Sequence, residues 1–215
     1  MKITLLCSDA KHPVNAYLEN WIAAASSSHD IELVRKIKQA SGGDILFLIS
    51  CSEIITAQDR ARYSSCLVLH ASDLPQGRGW SPHIWELSNG AEYITLSLLE
   101  AEDKVDSGRV WKKLQITVPK HALWDEINHL LFVAEVELIQ FAVENFCDIE
   151  PQNQLEAVEI TYYPRRTPKN SQVDPNKTIA EQFDLIRVCD PNRFPAFFEY
   201  LGQRYLLELK KSNEK

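Results

Sequence analysis

Residues 44–50 read Asp-Ile-Leu-Phe-Leu-Ile-Ser, a continuous apolar run that follows Gly42 and Gly43. A strand that is apolar on both sides of its pleat must be covered on both faces, which is typical of a parallel sheet between two layers of helices. Other short apolar runs lie at 3–7, 31–34, 66–69 and 94–99. Because helix-like segments such as 14–25 connect them, the sequence predicts an α/β fold with a doubly wound, mostly parallel sheet.

The clearest helix spans residues 122–146, where apolar residues recur at spacings of three and four. After residue 150 the pattern changes to a short strand at 158–163, a basic loop, a helix and a hairpin. The helix should cover 178–188, with Thr178 as its N-cap and Glu181 as the partner of that cap. The hairpin should pair 197–201 with 205–209 around a turn at Gly202 and Gln203. We therefore expect a catalytic α/β domain over 1–150 and a short C-terminal extension over 151–215.

Composition excludes several classes of protein. The 215 residues carry a formal net charge of -7, which disfavours a nucleic-acid partner. The five cysteines form no CxxC pair, so neither a zinc site nor a disulfide framework is expected. No window approaches the roughly 18 apolar residues of a membrane span, and the first apolar run ends too soon for a signal peptide. A cytoplasmic protein without a metal is predicted, and without an early GxGxxG a nicotinamide or flavin cofactor has no support.

The run at 66–69 delivers His70 to the carboxyl end of a predicted strand, and a loop rich in glycine and proline follows. In sheets of this type, ligands bind beyond the carboxyl ends of the strands. A second polar residue, Asp106, lies in a turn between the predicted strands 94–99 and 110–118. If these strands neighbour the first, His70 and Asp106 meet, and such a pair suits acid/base and oxyanion chemistry. Taken alone, His70 is also explained as a hydrogen-bonded structural histidine, and Asp106 as a turn former.

The sequence HASDLPQGRGWSPHIWELSNG at 70–90, followed by KVDSGRVW at 104–111, resembles the 10-formyltetrahydrofolate-dependent formyltransferases. That family includes methionyl-tRNA formyltransferase and the sugar N-formyltransferases. Its pattern is an active-site His, then Ser-x-Leu-Pro-x-x-Arg-Gly-x-x-Pro, then Asp-x-Gly. The matching residues here are His70, Ser72, Leu74, Pro75, Arg78, Gly79, Pro82, Asp106 and Gly108. The segment 163–171 also resembles the Tyr-x-Arg-Arg-Thr-Pro-x-x-Ser stretch of these enzymes, so the resemblance covers most of the chain and implies their Rossmann-like fold.

The resemblance implies an N-formyltransferase that uses 10-formyltetrahydrofolate as cosubstrate and no metal. His70 would donate a hydrogen bond to the oxyanion that forms when an amine attacks the formyl carbon. Asp106 would hold His70 and accept a proton from the amine. The residues expected to bind the folate are Ser50, Cys51, Ser52, Ile54, Leu74, Pro75 and Asp103. Those expected to bind the amine substrate are Asp9, Asn15, Ser72, Arg78, Gly79, Trp80, Arg165 and Arg166.

The expected acceptor is a nucleotide-linked amino sugar, since the loop with Trp80 resembles that of sugar N-formyltransferases in surface-glycan pathways. Neither the length nor the charge suits the additional β-barrel and basic face of the tRNA-modifying members. Trp80 either stacks on the substrate or packs beneath the loop, and Arg165 and Arg166 either pair with a diphosphate or form a solvated basic loop. Asp9, His12 and Asn15 are expected to bind sugar hydroxyls, and Asn15 alternatively caps the following helix.

One position departs from the family. An asparagine that helps to hold the formyl oxygen precedes the family's histidine by two residues, and Val68 stands there in this chain. The replacement is Ser50, Ser52 or Ser81, or His70 acts with a backbone N–H. Two alternative functions follow, a 10-formyltetrahydrofolate hydrolase and a non-catalytic module that binds folate or a sugar nucleotide. As a residue of a packed strand, Val68 should tolerate asparagine poorly. The C-terminal hairpin offers an edge for a homodimer.

Overall fold

A six-stranded sheet forms the centre of the computed structural model, which describes residues 1–212. Its first four strands and the helices between them are β1 (Lys2–Leu6), α1 (Asn15–Ala25), β2 (Asp30–Val34), β3 (Gly43–Leu48), α2 (Ala57–Arg60) and β4 (Tyr63–His70). The chain continues through β5 (Arg78–Gly79), α3 (Pro82–Ser88), β6 (Tyr93–Glu100), β7 (Val110–Thr117) and α4 (Trp124–Glu144). The remaining elements are β8 (Tyr162–Tyr163), α5 (Phe183–Arg187), β9 (Ala196–Tyr200) and β10 (Gln203–Leu207).

The strands of the sheet are ordered β2-β1-β3-β4-β6-β7. The first four are mutually parallel, whereas β6 runs antiparallel to both β4 and β7. The predicted α/β class and mostly parallel sheet are confirmed. The apolar run at 94–99 was expected to form a parallel strand, but β6 is antiparallel. An apolar run does not reveal direction, because β6 lies between two other strands and is covered on both faces whichever way it runs. The carboxyl ends of β1, β3, β4 and β7 consequently lie at the same edge of the sheet.

The core has two layers, one on each face of the sheet. Along β1, the side chain of Leu5 joins the layer formed with α1 and α4, and that of Leu6 joins the opposite layer with Val34 and Ile55. Strand β3 divides in the same way, with Phe47 on the first side and Leu46 on the second, and all four residues are fully buried. Each such side chain stabilises the fold by about 1.5–3 kcal/mol relative to an exposed position. This two-sided burial is what the apolar run at 44–50 predicted.

The residues after 150 pack back onto the sheet domain. β8 pairs with β5 through Arg78 and Tyr162, and Gln152 bridges to Val110. The guanidinium of Arg187, which is 1 % exposed, donates to the main-chain carbonyl oxygens of Pro119 and Ala122. These contacts fix the extension relative to the carboxyl edge of the sheet.

The predicted elements of the extension are confirmed only in part. The strand expected at 158–163 is limited to β8, because its partner β5 has only two residues. The expected helix at 178–188 is a 3-10 turn at Ala180–Gln182 followed by α5, although Thr178 and Glu181 do form the reciprocal cap. The hairpin forms, but its turn lies at Leu201 and Gly202, which both have positive φ as a two-residue hairpin turn requires.

Candidate active site

His70 ends β4 at the carboxyl edge of the sheet and is 7 % exposed. Its Nε2 atom lies 2.8 Å from the carbonyl oxygen of Gly77, in the loop that follows. Since a carbonyl only accepts hydrogen bonds, Nε2 carries a proton. Nδ1 is the ring nitrogen that Gly77 does not engage.

The carboxylate of Asp106 faces this nitrogen. Its Oδ1 lies 3.6 Å from Nδ1 of His70, and the two side chains are 7 % and 8 % exposed. Its Oδ2 accepts the N–H of Gly79 at 2.9 Å. At this distance the two groups form an ion pair when the imidazole is protonated, but they are not hydrogen bonded to each other. The pair can take a proton from one reacting nitrogen and return it to another.

The turn that carries Asp106 is fixed by contacts from distant parts of the chain. A side chain on Gly108 would place its Cβ 1.9 Å from the carbonyl oxygen of Glu100, so this position requires glycine. Gln154 donates to the carbonyl oxygens of Asp106 and Gly108 at 2.9 and 3.0 Å. Its own Oε1 accepts from Arg78 at 2.6 Å. Gln154 was not predicted, because it lies 48 residues from Asp106 and belongs to no recognisable motif.

Three residues predicted to bind the substrate, Ser72, Arg78 and Gly79, are buried or make contacts within the protein. Arg78 is 4 % exposed and its guanidinium bonds to Gln154 and Tyr162. Ser72 is fully buried. Gly79 donates its N–H to Asp106, and a Cβ there would lie 2.4 Å from the carbonyl oxygen of Tyr163. The substrate role predicted for these residues stays a prediction; in the structure Gly79 contacts Asp106 directly and Arg78 contacts it through Gln154.

A second polar group lies at the ends of β1 and β3. Nδ1 of His12 accepts the N–H of Val14 at 3.2 Å, so its proton is on Nε2 and is donated to Oγ of Ser50, also at 3.2 Å. Burial, and next the charge of Arg193, lower the pKa of His12 to about 4. Ser50 is exposed and has a φ of 46°, a left-handed conformation. Because the oxygen of Ser50 accepts that N–H, its hydroxyl hydrogen remains available as a donor.

Asn15 and Asp9 support this turn. Asn15 is 7 % exposed, donates to the carbonyl oxygens of Asp9 and His12, and accepts from Arg35. Asp9 accepts the N–H of Lys11 and pairs with Arg193 at 3.0 Å. Asn15 is the first residue of α1, whose N-cap is Val14, so it does not cap that helix, and its substrate role stays a prediction.

The residues predicted to bind folate divide into two sets. Ser50, Cys51, Ser52 and Ile54 lie between β3 and α2, and Ile54 is 89 % exposed. Arg60 connects this segment to Asp103, because it donates to the carbonyl oxygen of Ile55 and forms an ion pair with Asp103. By contrast, Leu74 and Pro75 are buried beneath the loop that follows β4.

Trp80 and Arg165 form an exposed pair at the rim of the cleft. The guanidinium of Arg165 lies 5.0 Å from the centre of the indole, and Trp80 is 43 % exposed. Arg166 lies over the ring of Phe194 and donates to Ser171. Trp80 is therefore accessible to a planar ligand, whereas Arg166 already has partners within the protein.

Sequence reasoning missed His83, in the first turn of α3. Its side chain is partly buried, and its Nδ1 atom is inaccessible to solvent and has no hydrogen-bond partner. Burial, followed by the charges of His70, Arg166 and His12, lowers the pKa of His83 to about 3. Its position directly after Pro82, within the loop motif, was a signal that could have drawn attention to it.

In the described residues 1–212, no group of three or more His, Cys, Asp or Glu side chains is arranged to hold a metal ion.

No helix within those residues is long and apolar enough to cross a membrane.

Comparison of the chain with solved structures shows its fold. A methionyl-tRNA formyltransferase from Clostridium thermocellum superimposes with a TM-score of 0.83 at 21% identity, covering 100% of this chain and 95% of that one. A 4-N formyltransferase from Francisella tularensis gives 0.75 at 16% identity, covering 99% and 98%. HypX from Aquifex aeolicus, in complex with tetrahydrofolic acid, gives 0.78 at 19% identity, covering 97% and 37%.

Sequence comparison is more specific. A methionyl-tRNA formyltransferase of Clostridium beijerinckii is 27% identical over 181 residues, which are 81% of this chain and 56% of that protein. The chain thus spans about half the length of the curated relatives it matches. The family model described as "Formyl transferase" matches residues 4–143, well over half of the chain and including both His70 and Asp106. The chain therefore belongs to the formyl transferase family.

Proposed function

We propose that this protein transfers the formyl group of 10-formyltetrahydrofolate to the amine of a small acceptor. The observation that carries the proposal is the pair of His70 and Asp106, 3.6 Å apart at the carboxyl edge of the sheet. The uncharged amine attacks the formyl carbon, forming a C–N bond, and the carbonyl oxygen becomes an oxyanion. The amine's proton passes to Asp106, and the bond from carbon to the folate N10 breaks as that nitrogen receives a proton from the pair.

The oxyanion needs hydrogen-bond donors, and Val68 offers none. Among the three serines considered as replacements, Ser50 has the strongest support. Leu48 and Val68 are paired in parallel register, and Ser50 follows Leu48 by two residues as His70 follows Val68, so both lie at the carboxyl edge of the sheet. The N–H of His12 occupies one lone pair of Ser50 and leaves its hydroxyl hydrogen available for the oxyanion. A donor of this kind contributes roughly 10²–10³ in rate.

A glycine variant tests this role with little structural cost, since Ser50 already has the positive φ that glycine adopts freely. Ser50→Gly should retain the melting temperature and lower the rate constant of formyl transfer by roughly 10². Ser28→Gly, in the exposed turn between α1 and β2, is the matched control. Wild-type turnover by Ser50→Gly would assign the task to another donor.

The acceptor is proposed to be a nucleotide-linked amino sugar. The exposed indole of Trp80 under the guanidinium of Arg165 supports this, since a planar base can stack there and a diphosphate can pair with the arginine. The net charge of -7 disfavours a large polyanion. The structural relatives include sugar N-formyltransferases, whereas the curated sequence relatives named above are methionyl-tRNA formyltransferases.

For the assembly we propose a cytoplasmic homodimer through the C-terminal hairpin, on which Tyr200, Leu201 and Leu206 are exposed.

One assay separates this function from the alternatives. The protein is incubated with 10-formyltetrahydrofolate, with and without a panel of amino-sugar nucleotides and methionyl-tRNA, and tetrahydrofolate is measured. Release that requires an amino-sugar nucleotide supports the proposal. Release without amine indicates a hydrolase, release that requires methionyl-tRNA indicates the other acceptor class, and binding without release indicates a non-catalytic module.

Sedimentation of the wild type and of Leu206→Lys checks the dimer, which the variant should weaken.

A further inference from the structure

The first part of the C-terminal extension, residues 152–163, is bonded to the loop that holds His70. The N–H of Gly77 donates to Oγ1 of Thr161 at 2.8 Å, and the N–H of Arg78 donates to the carbonyl oxygen of Thr161 at 2.9 Å. Gly77 is also the residue whose carbonyl oxygen lies 2.8 Å from Nε2 of His70. The extension therefore fixes the hydrogen-bond partner of the catalytic imidazole.

The side-chain amide of Gln154 joins this loop to the turn that carries Asp106. Its nitrogen donates to the carbonyl oxygens of Asp106 and Gly108, at 2.9 and 3.0 Å. Its oxygen accepts from the guanidinium of Arg78 at 2.6 Å, and Arg78 is 4 % exposed. An amide offers two N–H groups, and here each has its own carbonyl. Because the oxygen is bonded to a buried cation, the amide cannot turn over without losing all three contacts.

The backbone of Asp106 needs such support. Its φ is 55°, in the left-handed region that costs free energy for a residue with a side chain, and such a conformation persists only where the surroundings hold it. The two carbonyls that Gln154 engages belong to Asp106 itself and to the residue two positions later, so its donations span the strained position. In this conformation Oδ2 of Asp106 accepts the N–H of Gly79, and Oδ1 lies 3.6 Å from Nδ1 of His70.

We propose that Gln154 is a positioning residue, which holds the left-handed turn at Asp106 so that its carboxylate faces His70. This assignment rests on the proposed formyl transfer and adds to it a residue that lies outside the range 4–143 matched by the family model. The two N–H groups of Gln154 carry the role, whereas the bond to Arg78 sets the direction in which the amide points. The C-terminal extension is thereby a part of the catalytic centre.

Two substitutions of similar size separate this role from a structural one. Gln154→Glu removes both N–H groups but keeps an oxygen for Arg78, so the extension stays attached, and Gln154→Met removes all three contacts. The matched controls are Gln152→Glu and Gln152→Met, since Gln152 is exposed in the same segment and its amide donates to the nearby carbonyl of Glu150.

Each variant is assayed well below its melting temperature with 10-formyltetrahydrofolate and hydroxylamine, a small amine that is uncharged at neutral pH. The values of kcat and KM are determined separately, because a displaced catalytic group affects kcat alone. The ¹⁵N nuclear magnetic resonance signals of the His70 ring are recorded in parallel and assigned by their loss in His70→Gln. They report on the surroundings of Nδ1 in the folded protein, whether or not the protein is active.

We expect both Gln154 variants to lower kcat by roughly 10- to 100-fold with KM unchanged, because a small misplacement of a catalytic group is costly. The Nδ1 signal of His70 should shift in both of them and stay in place in the Gln152 controls. Wild-type kcat in Gln154→Glu, an unmoved His70 signal, or failure of Gln154→Glu to fold would each overturn the inference alone. If wild type released no tetrahydrofolate with any acceptor, the proposed function would fail, and the His70 signal would still decide whether Gln154 positions Asp106.

Discussion

Replacing Glu135 with glutamine should stabilise the protein increasingly as the pH rises from 5 to 8. Glu135 lies in α4 and is 6 % exposed, and its Oε2 has no hydrogen-bond partner. Burial raises the pKa of this carboxyl group to about 8, far above its ordinary value of 4.5. The folded protein therefore retains a proton on Glu135 that the unfolded chain loses near pH 4.5.

The sign follows from the protons bound in each state. Between pH 4.5 and 8 the folded state binds more protons than the unfolded one, so this group's contribution to stability is greatest below pH 4.5 and declines as the pH rises. Integrating from pH 5 to pH 8 gives a loss of about 3 kcal/mol for the wild type from Glu135. Glutamine, which is similar in size and does not ionise, removes this loss.

The measurement is urea denaturation of both proteins at pH 5, 6.5 and 8. The difference in the free energy of unfolding between Glu135→Gln and wild type should grow with pH, by up to about 3 kcal/mol. Glu137→Gln is the matched control, since Glu137 lies in the same helix but is exposed, and its difference from wild type should be nearly independent of pH. A difference that stays constant for Glu135→Gln as well would refute the reasoning, because it would mean that this carboxyl ionises in the folded state as it does in the unfolded one.

Three further predictions concern the catalytic edge. Asp106→Asn should keep the fold, since its amide oxygen can still accept the N–H of Gly79, but should lower the rate of formyl transfer by roughly 10²–10⁴ because the proton acceptor is lost; a near-normal rate with unchanged circular dichroism would contradict the role of Asp106. Val68→Asn should cost less than about 1.5 kcal/mol in urea denaturation, because Val68 is only partly buried where it packs against the core; a larger loss would support the expectation that this position tolerates asparagine poorly. Gly108→Ala should destabilise the fold by about 3 kcal/mol, since its Cβ would overlap the carbonyl oxygen of Glu100, and an unchanged melting temperature would show that this turn can shift.

Local patterns in the sequence determined much of the fold. The two-sided apolar run at 44–50 predicted a covered strand, and β3 has fully buried residues on both faces. The cap formed by Thr178 and Glu181 and the C-terminal hairpin also followed from neighbouring residues. The loop after His70 indicated the family for the same reason, because its motif is contiguous in the chain. Features of this kind depend on spacings of a few residues, which the sequence displays directly.

Tertiary structure alone decided which polar side chains face the cleft. Arg78 is a residue of the family motif, yet its guanidinium reaches inward to Gln154, 76 residues away, and not to a ligand. The unsatisfied Nδ1 of His83 was equally invisible, because the lack of a partner depends on every element packed around α3. The motif predicted where the site lies. Which of its residues bond within the protein depends on hydrogen bonds between residues far apart in the chain. These form only once the sheet and the C-terminal extension have packed together.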